Sequence, residues 1–339
     1  MSDDGDTSAV AQAPHFTARR FAVSLIVAVL VWVLVVAVCS TIGQFRLGWD
    51  IWKLRMLRLI PASLVGAGLS VAGVALQSLL RNPLASPYIL GVSSGSAVGA
   101  MAAMLAGAAG VITPLTMGGT TIAAACGGLA TTLVVYFIAQ RRGRLDPYTL
   151  LLSGVIVTAF NGAIIMLMYL LATQPVFRDI TVWAMGQIRE QTSAASVAIA
   201  GVVILAGWVV LLSRAKAFNV QSLGDEIASS AGVNVTALRL TTFATAALMT
   251  AAAVALAGPI AFVGLIVPHV CRRILGADHR TLLVTAGFVG AAFLAAADTL
   301  CRTAVTLRTG ELPVGIVTAL TGGPFFIYLL RRRFKEPGL

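Results

Sequence analysis

Long apolar runs follow one another along almost the whole chain, and short polar or Gly- and Pro-rich breaks separate them. An α-helix needs roughly 20 mostly apolar residues to cross a bilayer. Ten runs approach or exceed that length, at about residues 21–42, 59–80, 92–110, 114–139, 148–172, 195–213, 237–257, 259–275, 281–303 and 313–330. The pattern predicts an all-α polytopic membrane protein with about ten transmembrane helices.

Composition supports the membrane class and removes the soluble one. Of the 339 residues, 58% are hydrophobic and only 11% are charged, whereas soluble domains carry about 25% charged residues. The net charge is +11, which in a membrane protein indicates basic cytoplasmic loops facing anionic lipid. Membrane lipid is therefore the expected neighbour of this basic chain, and nucleic acid is not.

The distribution of Lys and Arg predicts the orientation. With ten spans and an inside N-terminus, sixteen basic residues fall in cytoplasmic segments and eight in outer segments, as the positive-inside rule favours. Both termini are then cytoplasmic. We expect a disordered tail at 1–20, one transmembrane domain at 21–331 and a second tail at 332–339.

A polar stretch at 214–236, here called the coupling segment, is the longest predicted on the cytoplasmic side. Asp225 and Glu226 follow Gly224 as an acidic helix start, and Gly232 marks a stop. A short helix between them is predicted. It is either part of an ordinary connecting loop or a surface helix that a cytoplasmic partner binds.

Basic residues crowd one short predicted outer segment, namely Arg46, Lys53, Arg55 and Arg58. Arg302 adds to the same predicted face. Two interpretations stay open. The cations anchor lipid headgroups beside Trp49 and Trp52, or they form a docking surface for an acidic soluble partner, since guanidinium groups pair with carboxylates in a bidentate fork.

Catalytic and energy-coupling motifs are absent from the sequence. No lysine follows a glycine, so no phosphate-binding P-loop exists, and no nucleophile elbow or clustered His and Cys pattern appears. We therefore expect neither an enzyme nor a bound cofactor or metal. Asp298 alone among the acids falls well within a predicted span, and Arg302 lies four residues beyond it, which predicts an ion pair along one helix. Asp298 is also the one residue that supports an alternative function, that of an ion-coupled secondary transporter.

Several blocks of sequence resemble one family of transporters. "LLRNPLASPYILGVSSGSAVGA" (79–100), "GPIAFVGLIVPHVCRRILGADHR" (258–280), "ADTLCR" (297–302) and "ELPVGIVTALTGGPFFIYLL" (311–330) are similar to the FecCD/BtuC permeases of ABC importers for iron-siderophores, haem and vitamin B12. "SLGDEIASSAGVNV" (222–235) resembles that family's cytoplasmic coupling segment. The resemblance covers about residues 20–335, in order.

The resemblance implies a permease subunit with the BtuC-like ten-helix fold in a bacterial cytoplasmic (inner) membrane. It implies three kinds of protein partner: two cytoplasmic ABC ATPase subunits, a second permease copy or a paralogue, and a periplasmic or lipid-anchored substrate-binding protein. ATP hydrolysis would reside in the ATPase subunits. An iron chelate is the expected cargo, with a siderophore first and haem or cobalamin as alternatives.

The resemblance also assigns candidate residues to three roles. Docking of the binding protein falls to Arg46, Arg55, Arg58 and Arg302. Contact with the ATPase falls to Leu223, Gly224, Asp225, Glu226, Ala228 and Gly232. A gate at the cytoplasmic end of the path falls to Asn82 and Leu84.

Overall fold

The computed structural model describes residues 17–43, 48–110, 119–141, 144–189, 192–304, 306–307 and 310–335. Within them the chain is almost entirely helical. The helices are α1 Ala18–Thr41, α2 Trp49–Leu79, α3 Val92–Ala108, α4 Gly119–Ala139, α5 Pro147–Leu171, α6 Gln174–Ala184, α7 Ala194–Ser213, α8 Ala215–Gln221, α9 Asp225–Ser230, α10 Val235–Ala257, α11 Val263–Leu275, α12 His279–Ala304 and α13 Val314–Lys335. A 3-10 helix, Pro87–Leu90, precedes α3, and two antiparallel pairs of two-residue strands join Gln140–Arg141 (β1) to Arg144–Leu145 (β2) and Thr306–Leu307 (β3) to Gly310–Glu311 (β4).

Every predicted apolar run corresponds to a helix, which confirms the all-α membrane fold. Seven helices in the described residues are long and apolar enough to cross a bilayer, and two shorter apolar helices, Val92–Ala108 and Val314–Leu329, accompany them. The exception in length is α11, whose 13 residues rise only about 20 Å against a hydrocarbon core of about 30 Å. The expectation of about ten membrane helices is therefore consistent with the structure.

The centre of the bundle is α2, because its apolar stretch is 89% buried, whereas that of α1 is only 6% buried. Gly73 of α2 faces the backbone of Gly264 in α11, and Gly66 faces that of Gly290 in α12, so closely that an added Cβ would overlap with the neighbouring carbonyl. Small residues let helix backbones approach where lipid supplies no hydrophobic drive. The outward faces of α1 and α5 are apolar, as contact with lipid requires.

An irregular stretch between α2 and α3 lies inside the bundle. A Cβ on Gly154, about two turns into α5, would overlap with the carbonyl of Ile89. The Tyr88 hydroxyl donates to Ile260 O at 2.6 Å and accepts from Ile260 N at 2.8 Å. Non-helical backbone inside a helix bundle is tolerated where protein buries it and its polar groups are paired, as the Tyr88 hydroxyl pairs the backbone of Ile260 here.

Candidate functional site

The candidate gate lies at the end of α2, in a turn that we call the gate loop, residues 81–86. Asn82 Oδ1 accepts from Leu84 N at 3.0 Å, and Asn82 O accepts from Ala85 N at 3.0 Å. Asn82 and Leu84 are both half-buried. The Asn82 side-chain oxygen thus closes the turn by accepting from a backbone N–H two residues further on, as in Asx turns.

Arg81 begins the gate loop in a backbone conformation that is uncommon for a residue with a side chain. Its φ is +48°, in the left-handed region that L-residues other than Gly seldom occupy. The surrounding structure must hold it there. Its side chain is well placed to do so, because it is bound to the coupling segment.

The coupling segment folds as two short helices, α8 and α9, and the predicted short helix after Gly224 is confirmed. Gly224 has a φ of +133°, a value that favours glycine, so it forms the corner between the two helices. Ala228 is fully buried against the bundle, while Leu223 and Ile227 are 67% and 52% exposed. Glu226 and Gly232 are also exposed. The segment therefore has an exposed apolar edge.

Asp225 joins the coupling segment to the gate loop. Its two carboxylate oxygens bind Arg81 and Arg239, and we call these three residues the Asp225 cluster. Arg81 Nη2 also donates to Gln221 O at 3.2 Å, and Arg239 Nη1 donates to Leu145 O at 3.3 Å. The structure thus brings together two regions that the sequence placed in separate roles.

A second polar contact joins the coupling segment to the last turn of α2. Asn219 Oδ1 accepts from His279 N at 2.9 Å and lies 2.7 Å from His279 Nδ1, while His279 Nε2 lies 2.6 Å from Ser78 Oγ. Because Asn219 Oδ1 only accepts, His279 Nδ1 donates to it. The Ser78 hydroxyl has one proton and two acceptors within reach, His279 Nε2 and Val74 O at 2.9 Å. His279 is buried, and sequence reasoning did not single it out.

At the other end of α2 a second cluster of charges is buried. Arg58 Nη2 lies 3.1 Å from Asp298 Oδ1, and Arg302 Nε lies 3.3 Å from Asp298 Oδ2. We call these three residues the Asp298 cluster. The predicted Asp298–Arg302 ion pair is confirmed. Arg58 was not expected in it, because it lies 240 positions away along the chain.

Burial changes the interpretation of the predicted docking residues. Arg55 and Arg58 are only 5% and 4% exposed, and Arg55 Nη1 donates to Ser40 O at 2.8 Å. These two side chains hold α1, α2 and α12 together, so neither is presented to a partner in this chain. Arg302 is partly buried, and Arg46 lies outside the described residues. Docking of a binding protein stays a prediction.

The aromatic pair beside these arginines fits the lipid interpretation. Trp49 and Trp52 are exposed and stacked, with ring centroids 5.3 Å apart, and Lys53 next to them is exposed. Tryptophan and basic residues commonly anchor a helix end at the membrane interface. Among the described side chains there is no group of three or more His, Cys, Asp or Glu that is placed to hold a metal ion.

Comparison with known proteins agrees with the membrane fold described above. A model described as the FecCD transport family matches residues 25–332. The chain is 43% identical over 280 residues to the cobalamin import system permease protein BtuC of Halobacterium salinarum, covering 83% of this chain and 73% of the relative. It is 36% identical over 289 residues to the hemin transport system permease protein HmuU of Yersinia pestis, covering 85% of each.

A solved structure shares the fold. It is described as an inward-facing conformation of a candidate metal-chelate type ABC transporter. It matches with a TM-score of 0.81 at 31% identity and covers 92% of this chain and 99% of that one. The arrangement of helices described above is therefore that of an importer permease.

Proposed function

Because the chain belongs to the FecCD transport family of ABC-importer permeases, we propose that it carries an iron chelate across the cytoplasmic membrane. It receives the chelate from an extracytoplasmic binding protein and is driven by two separate ATPase subunits. The observation that carries this proposal is the coupling segment, which exposes Leu223 and Ile227 on one side and binds the gate loop on the other.

The relatives support a class of cargo and not one molecule. One is named for cobalamin and one for hemin, and the solved neighbour for a metal chelate. These cargoes share a metal held inside an organic chelate. We propose a ferric siderophore first, with haem and cobalamin as the alternatives that the experiment separates.

The partners follow from the faces that the chain leaves open. We propose that the ATPase binds the apolar edge at Leu223 and Ile227, which places α9 and both termini in the cytoplasm. The outward face of α5 includes Phe160 and Leu170, which are 66% and 82% exposed. We propose that a second permease copy, or a paralogue, and lipid share this face.

Reconstitution tests the proposed function. The permease, its ATPase subunits and its binding protein are placed in proteoliposomes and offered a ferric hydroxamate, hemin or cobalamin. We expect import of one chelate that requires both ATP and the binding protein. Import that persists without either one, or that a proton gradient alone drives, would contradict the proposal.

The alternative function, an ion-coupled secondary transporter, rests on Asp298. In the structure this carboxylate lies between Arg58 and Arg302, so it serves as an ion-pair partner inside the bundle. A proton relay needs ionisable groups that change partners. Replacing Asp298 by Asn and finding loss of proton-driven import, with no ATP requirement, would favour the alternative.

A further inference from the structure

The last turn of α2 and the gate loop are held by the coupling segment at two points. Ser78 is reached through His279 and Asn219, and Arg81 is reached by Asp225 directly. Only three positions separate Ser78 from Arg81 along the chain. Asn82 follows immediately, so the candidate gate begins at the residue after the second attachment point.

The contacts at Arg81 are of the kind that can transmit a displacement. The Arg81 guanidinium holds both a backbone carbonyl of α8, at Gln221, and the first residue of α9. Asp225 is fixed from its other oxygen by Arg239 of α10. One nitrogen, Arg81 Nη2, makes both contacts, so the end of this side chain is fixed between α8 and α9. A shift of α9 therefore displaces the Arg81 side chain.

The degree of exposure indicates that folding does not depend on the Arg81–Asp225 contact. The side chains of Arg81 and Asp225 are 42% and 37% exposed. Ion pairs exposed to this extent contribute little to folding. The Arg81–Asp225 pair is thus poorly suited to holding the fold together, which the buried small-residue contacts of α2 already do.

We propose that Arg81 and Asp225 are positioning residues for transport: their contact ties the gate loop to the coupling segment, so that movement of the ATPase-bound α9 changes the position of Asn82 and Leu84. His279 and Asn219 form a second, part-buried attachment for the same movement. This inference rests on the proposed function. It adds to it the pair of side chains through which hydrolysis reaches the gate.

A double-mutant cycle tests the contact. In the reconstituted importer, the ratio of chelate imported to ATP hydrolysed is measured for Arg81→Gln, for Asp225→Asn and for both together, with the chelate that the wild type imports. A coupling contact of ordinary strength changes such a ratio about fivefold or more. We expect each single change to lower the ratio by that factor, and the double change to lower it no further.

Glu226 provides the matched comparison, because it is the neighbouring carboxylate and is exposed. Among the described side chains it makes no contact with Arg81. The effects of Arg81→Gln and Glu226→Gln on the ratio should therefore multiply, as they do for independent sites. If the Arg81 and Asp225 effects also multiply, the two residues act separately and the proposal is wrong.

A second variant guards against a permease that fails to insert. Arg81→Lys keeps the charge but replaces the planar guanidinium, whose Nη2 contacts both Gln221 O and Asp225, by a differently placed ammonium group. It should lose part of the ratio only while Asp225 is present. A ratio unchanged in every Arg81 and Asp225 variant, with wild-type import intact, overturns this inference alone. A wild type that imports none of the three chelates with ATP and binding protein overturns the proposed function, and the inference falls with it.

Discussion

The two ends of α2 carry the same arrangement of charges in opposite surroundings. Each has one aspartate between two arginines: Asp298 with Arg58 and Arg302 at one end, and Asp225 with Arg81 and Arg239 at the other. The side chains of Arg58 and Asp298 are 4% and 2% exposed, whereas those of Arg81 and Asp225 are 42% and 37% exposed.

Exposure decides what each arrangement does. A buried charge cannot lose its partner cheaply, because no water replaces the lost contact. The Asp298 cluster therefore holds α2 and α12 together, and we call this structural role the clasp. Water and salt compete for the Arg81–Asp225 contact of the Asp225 cluster, so this contact contributes little to the stability of the fold. One aspartate between two arginines serves stability at one end and, in our proposal, movement at the other.

The largest expected effect follows from breaking the buried arrangement. Asp298→Asn removes the charge that both Arg58 and Arg302 face, and should lower the free energy of unfolding by about 3–5 kcal/mol. SDS titration in mixed micelles measures this. Asp179→Asn, an exposed carboxylate of α6, is the control and should change it by less than about 0.5 kcal/mol. A loss as small as the control's would refute the clasp.

Removing one arm of the clasp should have an intermediate effect. Arg58→Gln leaves Asp298 with Arg302, so the carboxylate keeps one partner but loses a buried hydrogen bond. We expect a loss of about 1–3 kcal/mol in the same titration. A loss equal to that of Asp298→Asn would mean that Arg302 does not support the carboxylate by itself.

The exposed arrangement should matter little for folding. Asp225→Asn should lower the free energy of unfolding by less than about 1 kcal/mol per ion pair lost, although it impairs transport. Thermal unfolding in detergent, followed beside Asp298→Asn, measures the difference. If Asp225→Asn destabilises as strongly as Asp298→Asn, the two ends do not differ and the comparison fails.

Salt should change the stability contribution of the Asp225 cluster but not that of the Asp298 cluster. This is the smallest of the expected effects. Raising the ionic strength from 0.1 M to 1 M shortens the screening length from about 10 Å to about 3 Å. The stability difference between wild type and Asp225→Asn should shrink, while that between wild type and Asp298→Asn should stay. Unfolding of wild type and both variants at the two salt concentrations measures these differences. If both stability differences shrink equally, the two clusters do not differ in burial as described.

The order of helices could be predicted from the sequence because lipid imposes a strong local rule. Twenty apolar residues indicate a span wherever they occur, and Gly224 and Gly232 bound α9 by backbone conformation alone. The start of α2 at Trp49 was missed, since its first turns carry the basic residues of the predicted outer segment. The polar residues Arg55 and Arg58 belong to this helix because the folded bundle buries them.

The contacts of the candidate site could not be predicted, because they join distant parts of the chain. Arg81 meets Asp225 across 144 positions and Arg58 meets Asp298 across 240. No local pattern marks such a pair. The i+4 spacing from Asp298 to Arg302 is local, and for that reason it was found. The burial of Arg55 and Arg58 could not be predicted from their charge either, and their docking role stays a prediction.

The account predicts above all that the gate loop and α9 move as one unit. Spin labels on Leu84 and Ile227 test this in an importer with one labelled permease copy, in which Cys39, Cys126, Cys271 and Cys301 are replaced by alanine. A third label on the exposed Tyr148 of α5 reports movement of the gate itself. With ATP, the Leu84–Tyr148 distance should change while the Leu84–Ile227 distance stays the same. A Leu84–Ile227 distance that changes as much as the Leu84–Tyr148 distance would contradict the account.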